Sequence, residues 1–131
     1  MSAVRVVCAV IVNEAGLVLA CKRGSGRFLG GKWEFPGGKV EPQESAEEAL
    51  HRELREELAI SVWIHKNLSE VRWNYGRGDM LLLPFVCGIR DGKPQALEHE
   101  QIRWCDAAEL VTLDWAEADV PVLREYLETM R

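Results

Sequence analysis

The segment from Ser45 to Ile60 constrains this chain more than any other, because it can fold stably only as a helix docked along one side. Ser45 offers an N-cap, and Glu48 three residues on completes a capping box. Ala46, Ala49, Leu50, Leu54 and Leu58 recur at helical spacing, which predicts a helix over about 46–58 with one apolar stripe. Residues three and four apart are neighbours on a helix, about 5–6 Å between Cβ atoms. Glu53 therefore adjoins both Glu56 and Glu57, and these acids run beside the leucine stripe, where they can line a cleft. Like charges at this spacing cost a few tenths of a kcal/mol per pair, and the helix dipole disfavours acids in the last turns. Arg52 and Arg55 offset part of that. A bound cation accounts for the arrangement, and Mg²⁺ suits it, since that ion takes oxygen ligands shared between carboxylates and substrate phosphates. A solvated acidic face is the other reading, and spacing and charge leave both open.

Around this helix the pattern is mixed. Val4 to Val12 is rich in β-branched residues and reads as a buried strand; Asn13-Glu14-Ala15-Gly16 is a turn, and Leu17 to Cys21 returns as the second arm of a hairpin. Gly24 to Lys32 holds four glycines and reads as a mobile loop before the extended Trp33-Glu34-Phe35. Trp63 to His65, Glu70 to Tyr75 and Met80 to Ile89 read as strands, with Gly76-Arg77-Gly78 turning between the last two. Ile102 to Trp104 is a short strand, Asp106 caps a brief helix through Leu110, and Pro121 opens a closing helix that presents Leu123, Tyr126, Leu127 and Met130. Without regular alternation of strands and helices, the expectation is an α+β domain, two helices packed about a mixed sheet. A length of 131 residues fits a single domain, residues 1–131, burying roughly two-thirds of its extended surface.

Composition narrows the partners. A net charge of −5 argues against a nucleic-acid polymer, which needs a basic surface. The apolar stretch Met80 to Ile89, broken by Pro84 and Gly88, is too short to span a bilayer, and Met1 to Arg5 lacks the features of a secretion signal. Cys8, Cys21, Cys87 and Cys105 form no CxxC pair and read as buried free thiols in a reducing cytoplasm. Lys22, Arg23, Arg27, Lys32 and Lys39 crowd just before the acidic helix, which suits a small polyanion met by cations and a metal together, or else a solvated loop. Five tryptophans do not settle the oligomeric state, monomer or dimer.

Gly38, Glu44, Arg52, Glu53, Leu54, Glu56, Glu57 and Ile60 stand at the spacing of the signature of the Nudix hydrolases, a family that the chain resembles over most of its length; Ala59 alone departs, standing where the family has Gly. Trp33-Glu34-Phe35-Pro36-Gly37-Gly38-Lys39-Val40-Glu41 resembles the lead-in segment of the MutT-like branch. Glu98-His99-Glu100 followed by Trp104 resembles its downstream loop, and Asp119-Val120-Pro121 its closing segment. The resemblance implies an α/β/α Nudix sandwich, with the mixed sheet between helices, and a cytoplasmic enzyme that cleaves nucleoside triphosphates to the monophosphate and pyrophosphate. By analogy, Mg²⁺ (with Mn²⁺ as substitute) is held by Glu53, Glu56, Glu57 and Glu98 with a carbonyl of Gly37 or Gly38. Glu53 is then the first choice for general base, with Glu98 as rival. Arg52 pairs with Glu56 or Glu48. Arg23, and with less weight Lys39, meet phosphate; Phe35 lines the base pocket and Asp119 faces the base edge, although Asp119 also suits a plain helix cap. The substrate implied is oxidised dGTP, whose N7–H donor a buried carboxylate can read. CTP, dCTP or a modified pyrimidine triphosphate is the close alternative, and a non-catalytic nucleotide-binding module stands behind both. ADP-ribose is disfavoured by the lack of any proline between Pro42 and Pro84, and Tyr75 leaves a small opening for dinucleoside polyphosphates.

Overall fold

A computed structural model describes residues 3–130, so the reading of the first five residues as lacking a secretion signal lies partly outside the described residues. Strand β1 (Val4–Ile11) sits inside a five-stranded sheet in the order β4 (Gly37–Lys39), β1, β7 (Asp79–Asp91), β5 (Ser61–Asn67). It is antiparallel to β4 and parallel to β7. β7 is long enough to take two partners in succession on its other edge, β5 and then β6 (Val71–Asn74). Pro84 falls at the break between them. Its carbonyl accepts from Leu68 N at 3.0 Å, so its nitrogen points to the same edge, where no ladder bond is missed. A second sheet carries β3 (Trp33–Glu34), β2 (Val18–Lys22) and β8 (Gln101–Cys105).

Side-chain alternation places the core. Val7, Ala9 and Ile11 of β1 pack with Leu19, Cys21, Phe85 and Cys87 against Ala49, Leu50, Leu54 and Leu58 of α1 (Ala46–Leu58). Cys8 and Val10 face the other way, with Val18, Ala20, Leu82 and Val86, toward Leu110 of α2 (Ala107–Leu110) and Val122, Leu123 and Tyr126 of α3 (Val120–Glu128). A strand sheathed on both faces needs apolar residues at every position, which is why β1 reads as a continuous run. The architecture is the expected α+β sandwich with a mixed sheet and helices on both faces. Among the described residues three α-helices take part instead of two, and Met130, placed on the closing helix by periodicity, lies past its end and is exposed. No helix among the described residues is long and apolar enough to cross a membrane.

The hairpin expected between Val4–Val12 and Leu17–Cys21 forms only at its turn. Asn13 Oδ1 accepts from Ala15 N and Leu17 N, Asn13 N bonds Leu17 O, and Val12 and Val18 make one isolated bridge. Beyond that the arms diverge, because β4 and β7 already occupy both edges of β1, and β2 pairs with β3 and β8 instead. Residues 24–32 are also more tied than a glycine-rich loop implies. Arg23 N bonds Lys32 O, Gly31 N bonds Arg23 O, and Arg27 N bonds Gly24 O.

Helix α1 begins and ends as its sequence predicts. Ser45 and Glu48 exchange the capping-box bonds. Ala59 ends the helix at φ 58° and ψ 39°, its N–H donating to Arg55 O at 3.1 Å. A left-handed alanine carries a Cβ penalty of about 1 kcal/mol that glycine avoids. Ala59→Gly should therefore stabilise the protein by about 1 kcal/mol, raising the melting temperature by about 4 °C; a fall in melting temperature would contradict the left-handed cap.

Candidate active site

The site is built where β4 passes between β1 and α1. Gly37 and Gly38 pair with Cys8 and Val7 across the sheet. A Cβ on Gly37 would run into the Val7 carbonyl, and one on Gly38 into the Glu53 carboxyl. Glycine at both positions lets backbone and carboxylates approach closely. Gly37 N donates to Glu57 Oε1 at 3.2 Å. Glu57 is 7% exposed, and burial, reinforced by the charges of Glu34 and Glu53, pushes its carboxyl up to about 8. Glu53 is also raised, by burial first, with the neighbouring Arg52 opposing and Glu56 and Glu98 adding. Glu56 lies outward, its side chain 55% exposed. Glu98, on the loop after β7, is exposed and reaches Glu53 and Glu57 through its charge.

Arg52 holds the outer edge of this group. Its Nε and Nη2 donate to the two oxygens of Glu44 at 2.6 and 2.8 Å, a two-pronged pair. Its Nη1 reaches Glu53 Oε2 at 3.1 Å and Glu56 Oε2 at 3.4 Å, and Nη2 also donates to Lys39 O at 3.1 Å. The expected pairing with Glu56 is present. Glu48 is not a partner, because its carboxylate closes the capping box instead. Glu44 is the strongest partner, its carboxyl held down to about 2 chiefly by the Arg52 hydrogen bonds.

A second group forms at one end of the three-stranded sheet. Arg23 donates through Nη1 to Glu34 Oε1 at 2.8 Å and through Nε to Phe28 O at 2.8 Å. His99 Nε2 lies 2.9 Å from Glu34 Oε2. Burial would raise the Glu34 carboxyl, but the bonds from His99 and Arg23 outweigh it and hold it low. Beside them Asp119, 8% exposed, accepts from Phe35 N through Oδ2 at 2.8 Å, and burial pushes its carboxyl up to about 8. Asp119 stands at the start of α3 yet makes no side-chain cap bond, so the plain-cap reading fails: the carboxylate turns inward to the Phe35 amide just after β3. Phe35 stacks on Trp115 with ring centroids 4.6 Å apart. Lys39 is the outlier, exposed on β4 with only its carbonyl engaged.

Sequence reasoning gives Glu34 and His99 no role, although both lie inside the segments that carry the family resemblance. A charged residue next to buried Trp33 and Phe35 was the available signal. The donors at the first group are carboxylate and backbone oxygens, the hard set that Mg²⁺ takes. Gly38 leaves the gap that Glu53 enters, and Glu57 has no cationic partner among the described residues, so the chemistry fits a divalent ion. As the side chains stand, no three acidic, imidazole or thiol groups among the described residues are gathered closely enough to ligate one.

The NUDIX domain profile matches residues 2–126. The CTP pyrophosphohydrolase of Escherichia coli K12 is 35% identical over 121 residues, covering 92% of this chain and 90% of that protein. The 8-oxo-dGTP diphosphatase of the same organism is 26% identical over 123 residues, covering 94% and 95%. The crystal structure of a MutT protein from Methanosarcina mazei superposes with a TM-score of 0.87 over 98% of this chain and 95% of that one, at 24% identity, a likeness of fold. With the glycine turn, the acidic helix and the sandwich in place, the chain belongs to the Nudix hydrolase family.

Proposed function

We propose that this chain is a Mg²⁺-dependent nucleoside triphosphate pyrophosphohydrolase, releasing a nucleoside monophosphate and pyrophosphate from one cytoplasmic catalytic domain. The observation that carries the reading is the seating of two helix carboxylates on the Gly37–Gly38 backbone, Glu53 against Gly38 and Glu57 on the Gly37 N–H. Glu53, Glu56, Glu57 and Glu98, with a carbonyl of Gly37 or Gly38, would hold Mg²⁺, and Mn²⁺ could replace it. When bound, the ion would neutralise phosphate oxygens and acidify water. Glu53 is the proposed base, because burial raises its carboxyl and so makes it a stronger proton acceptor. Arg52 orients it. Arg23, fixed on Glu34 and the Phe28 carbonyl, presents the rest of its guanidinium to phosphate, and exposed Lys39 adds a weaker contact.

Phe35 and Asp119 are assigned to the base. Asp119 Oδ2 is taken by Phe35 N, which leaves Oδ1 for the ligand. Ionised, Oδ1 accepts from the N7–H that guanine gains on oxidation at C8. Protonated, it also donates, which suits cytosine N3 beside its amino group. Oxidised dGTP is the first reading, in line with the 8-oxo-dGTP diphosphatase among its relatives. CTP or dCTP is the second, favoured by the 35% identity to a CTP pyrophosphohydrolase. A non-catalytic module is opposed by the full acidic set.

Pyrophosphate release with Mg²⁺ should be measured over oxidised dGTP, dGTP, dCTP and CTP. One of the first or last two is expected to give the highest kcat/KM, and no Mg²⁺-dependent release from any of them would overturn the proposal. Glu53→Gln should lower kcat at least ~100-fold while calorimetry still detects nucleotide binding; near wild-type turnover would move the base to Glu98.

The raised Asp119 carboxyl gives a stability signature. Its ordinary value is 3.8 and its folded value about 8, so the folded state keeps a proton that the unfolded chain releases. The stability this contributes is full below about pH 4 and is lost as pH rises through about 8, with a slope of up to about 1.4 kcal/mol per pH unit. In chelator, urea unfolding from pH 5 to 8 should show Asp119→Asn flattening that decline by about one proton's worth; an unchanged slope would show that Asp119 is ionised in the fold.

A further inference from the structure

The loop from residue 92 to residue 100, between β7 and β8, has one buried member. Leu97 is 54% exposed and Glu98 and Glu100 face solvent, yet the His99 imidazole between them is fully buried. A buried imidazole ordinarily satisfies both ring nitrogens. Here Nδ1 has no hydrogen-bond partner among the described residues, and only Nε2 is engaged, at 2.9 Å from Glu34 Oε2. Burying a polar atom unpaired is unfavourable, so the bond to Glu34 must offset it.

The backbone on either side of His99 is pinned to different elements. Leu97 N is shared between Gln95 O at 2.9 Å and Glu57 O of α1 at 3.2 Å, Gln95 N donates to Leu58 O of α1 at 3.0 Å, and Glu100 N donates to Lys22 O of β2 at 2.9 Å. Lys22 Nζ and Glu100 Oε2 add an ion pair at 3.3 Å. Glu98 is thus strung between the helix that carries Glu53, Glu56 and Glu57 and the end of β2, and His99 is the side chain that reaches inward from that span. Its partner Glu34 also binds Arg23 through its other oxygen. One carboxylate therefore joins the loop of Glu98 to the arginine assigned to phosphate.

We propose that His99 is a positioning residue for the hydrolysis: its bond to Glu34 fixes the 97–100 span and so holds Glu98 toward the carboxylates of α1. The inference rests on the role given to Glu98 above, and it acts through that residue, since His99 touches no reacting group. Outer-shell partners of this kind are worth about 10–100-fold in activity.

The test compares His99→Ala, His99→Gln, Glu98→Gln and the His99→Ala/Glu98→Gln double variant in the full chain. Amide hydrogen exchange is followed in chelator without nucleotide, and kcat and KM are measured with Mg²⁺. His99→Ala should speed exchange at the Leu97 and Glu100 amides about tenfold or more and lower kcat about 10–100-fold with little change in KM. Gln places an amide N–H where Nε2 lies and should restore both. In the Glu98→Gln background, His99→Ala should lower kcat no further. Unchanged exchange in His99→Ala, a loss carried by KM, or an equal fall in kcat when Glu98 is already absent would each overturn the proposal. Full turnover in Glu98→Gln would overturn the role of Glu98 and with it the catalytic part of the proposal, while the exchange measurement separately decides whether His99 holds the loop. If the alanine cavity unfolds the chain, His99→Leu fills the space without the bond and serves the same comparison.

Discussion

The close passage of β4 between β1 and α1 is the constraint on which the site depends, and two glycines permit it. With a side chain at Gly37 the strand would have to leave β1, and with one at Gly38 the Glu53 carboxyl would be displaced. The carboxylates do not hold themselves there, since their mutual charges push them apart. They are placed by the opposite stripe of the same helix, where Leu50, Leu54 and Leu58 are buried against β1, β2 and β7. Truncating one such leucine to alanine typically costs 2–5 kcal/mol, well above the few tenths that separate like charges on a helix. Apolar packing therefore decides where the acids stand.

The acids divide by what neutralises them. Glu44, Glu53 and Glu56 share hydrogen bonds from Arg52, and Glu41 lies 3.9 Å from the same guanidinium, a single fork spread over four carboxylates. Glu34 is kept ionised in a buried setting by Arg23 and His99. Glu57 and Asp119 are buried without such partners and shift toward their protonated forms, with the Glu34 charge contributing to both shifts. Burial is the larger cause in each case, and the charge sustained on Glu34 adds to it.

What could be read from the sequence follows the range of the interactions involved. Helix 46–58 and its capping box are legible because both depend on residues within one turn, whereas the special place of Ala59 shows only through the family resemblance, which has Gly there. The α+β class followed from the mixed pattern, and the sandwich from the family resemblance. The hairpin was misread because turn chemistry at Asn13–Gly16 is local, while the competition for the edges of β1 comes from β4 and β7, far along the chain. Asp119 sits at a helix start, and nothing nearby reveals that its carboxylate turns to Phe35, 84 residues earlier in the chain. Glu34 and His99 are 65 residues apart, and only the convergence of β3, β2 and the loop before β8 makes them a pair.

The parallel pairing of β1 with β7 carries a consequence for how the chain acquires its shape. Val4 lies opposite Met80 and Ile11 opposite Cys87, so β1 has no permanent neighbour on that side until a strand far later in the sequence has been made. Closing so long a loop is entropically unfavourable before the contacts that reward it exist, and topologies of this kind fold slowly. During synthesis the apolar face of Val7, Ala9 and Ile11 and an open hydrogen-bonding edge are exposed together, a combination that invites association between nascent chains.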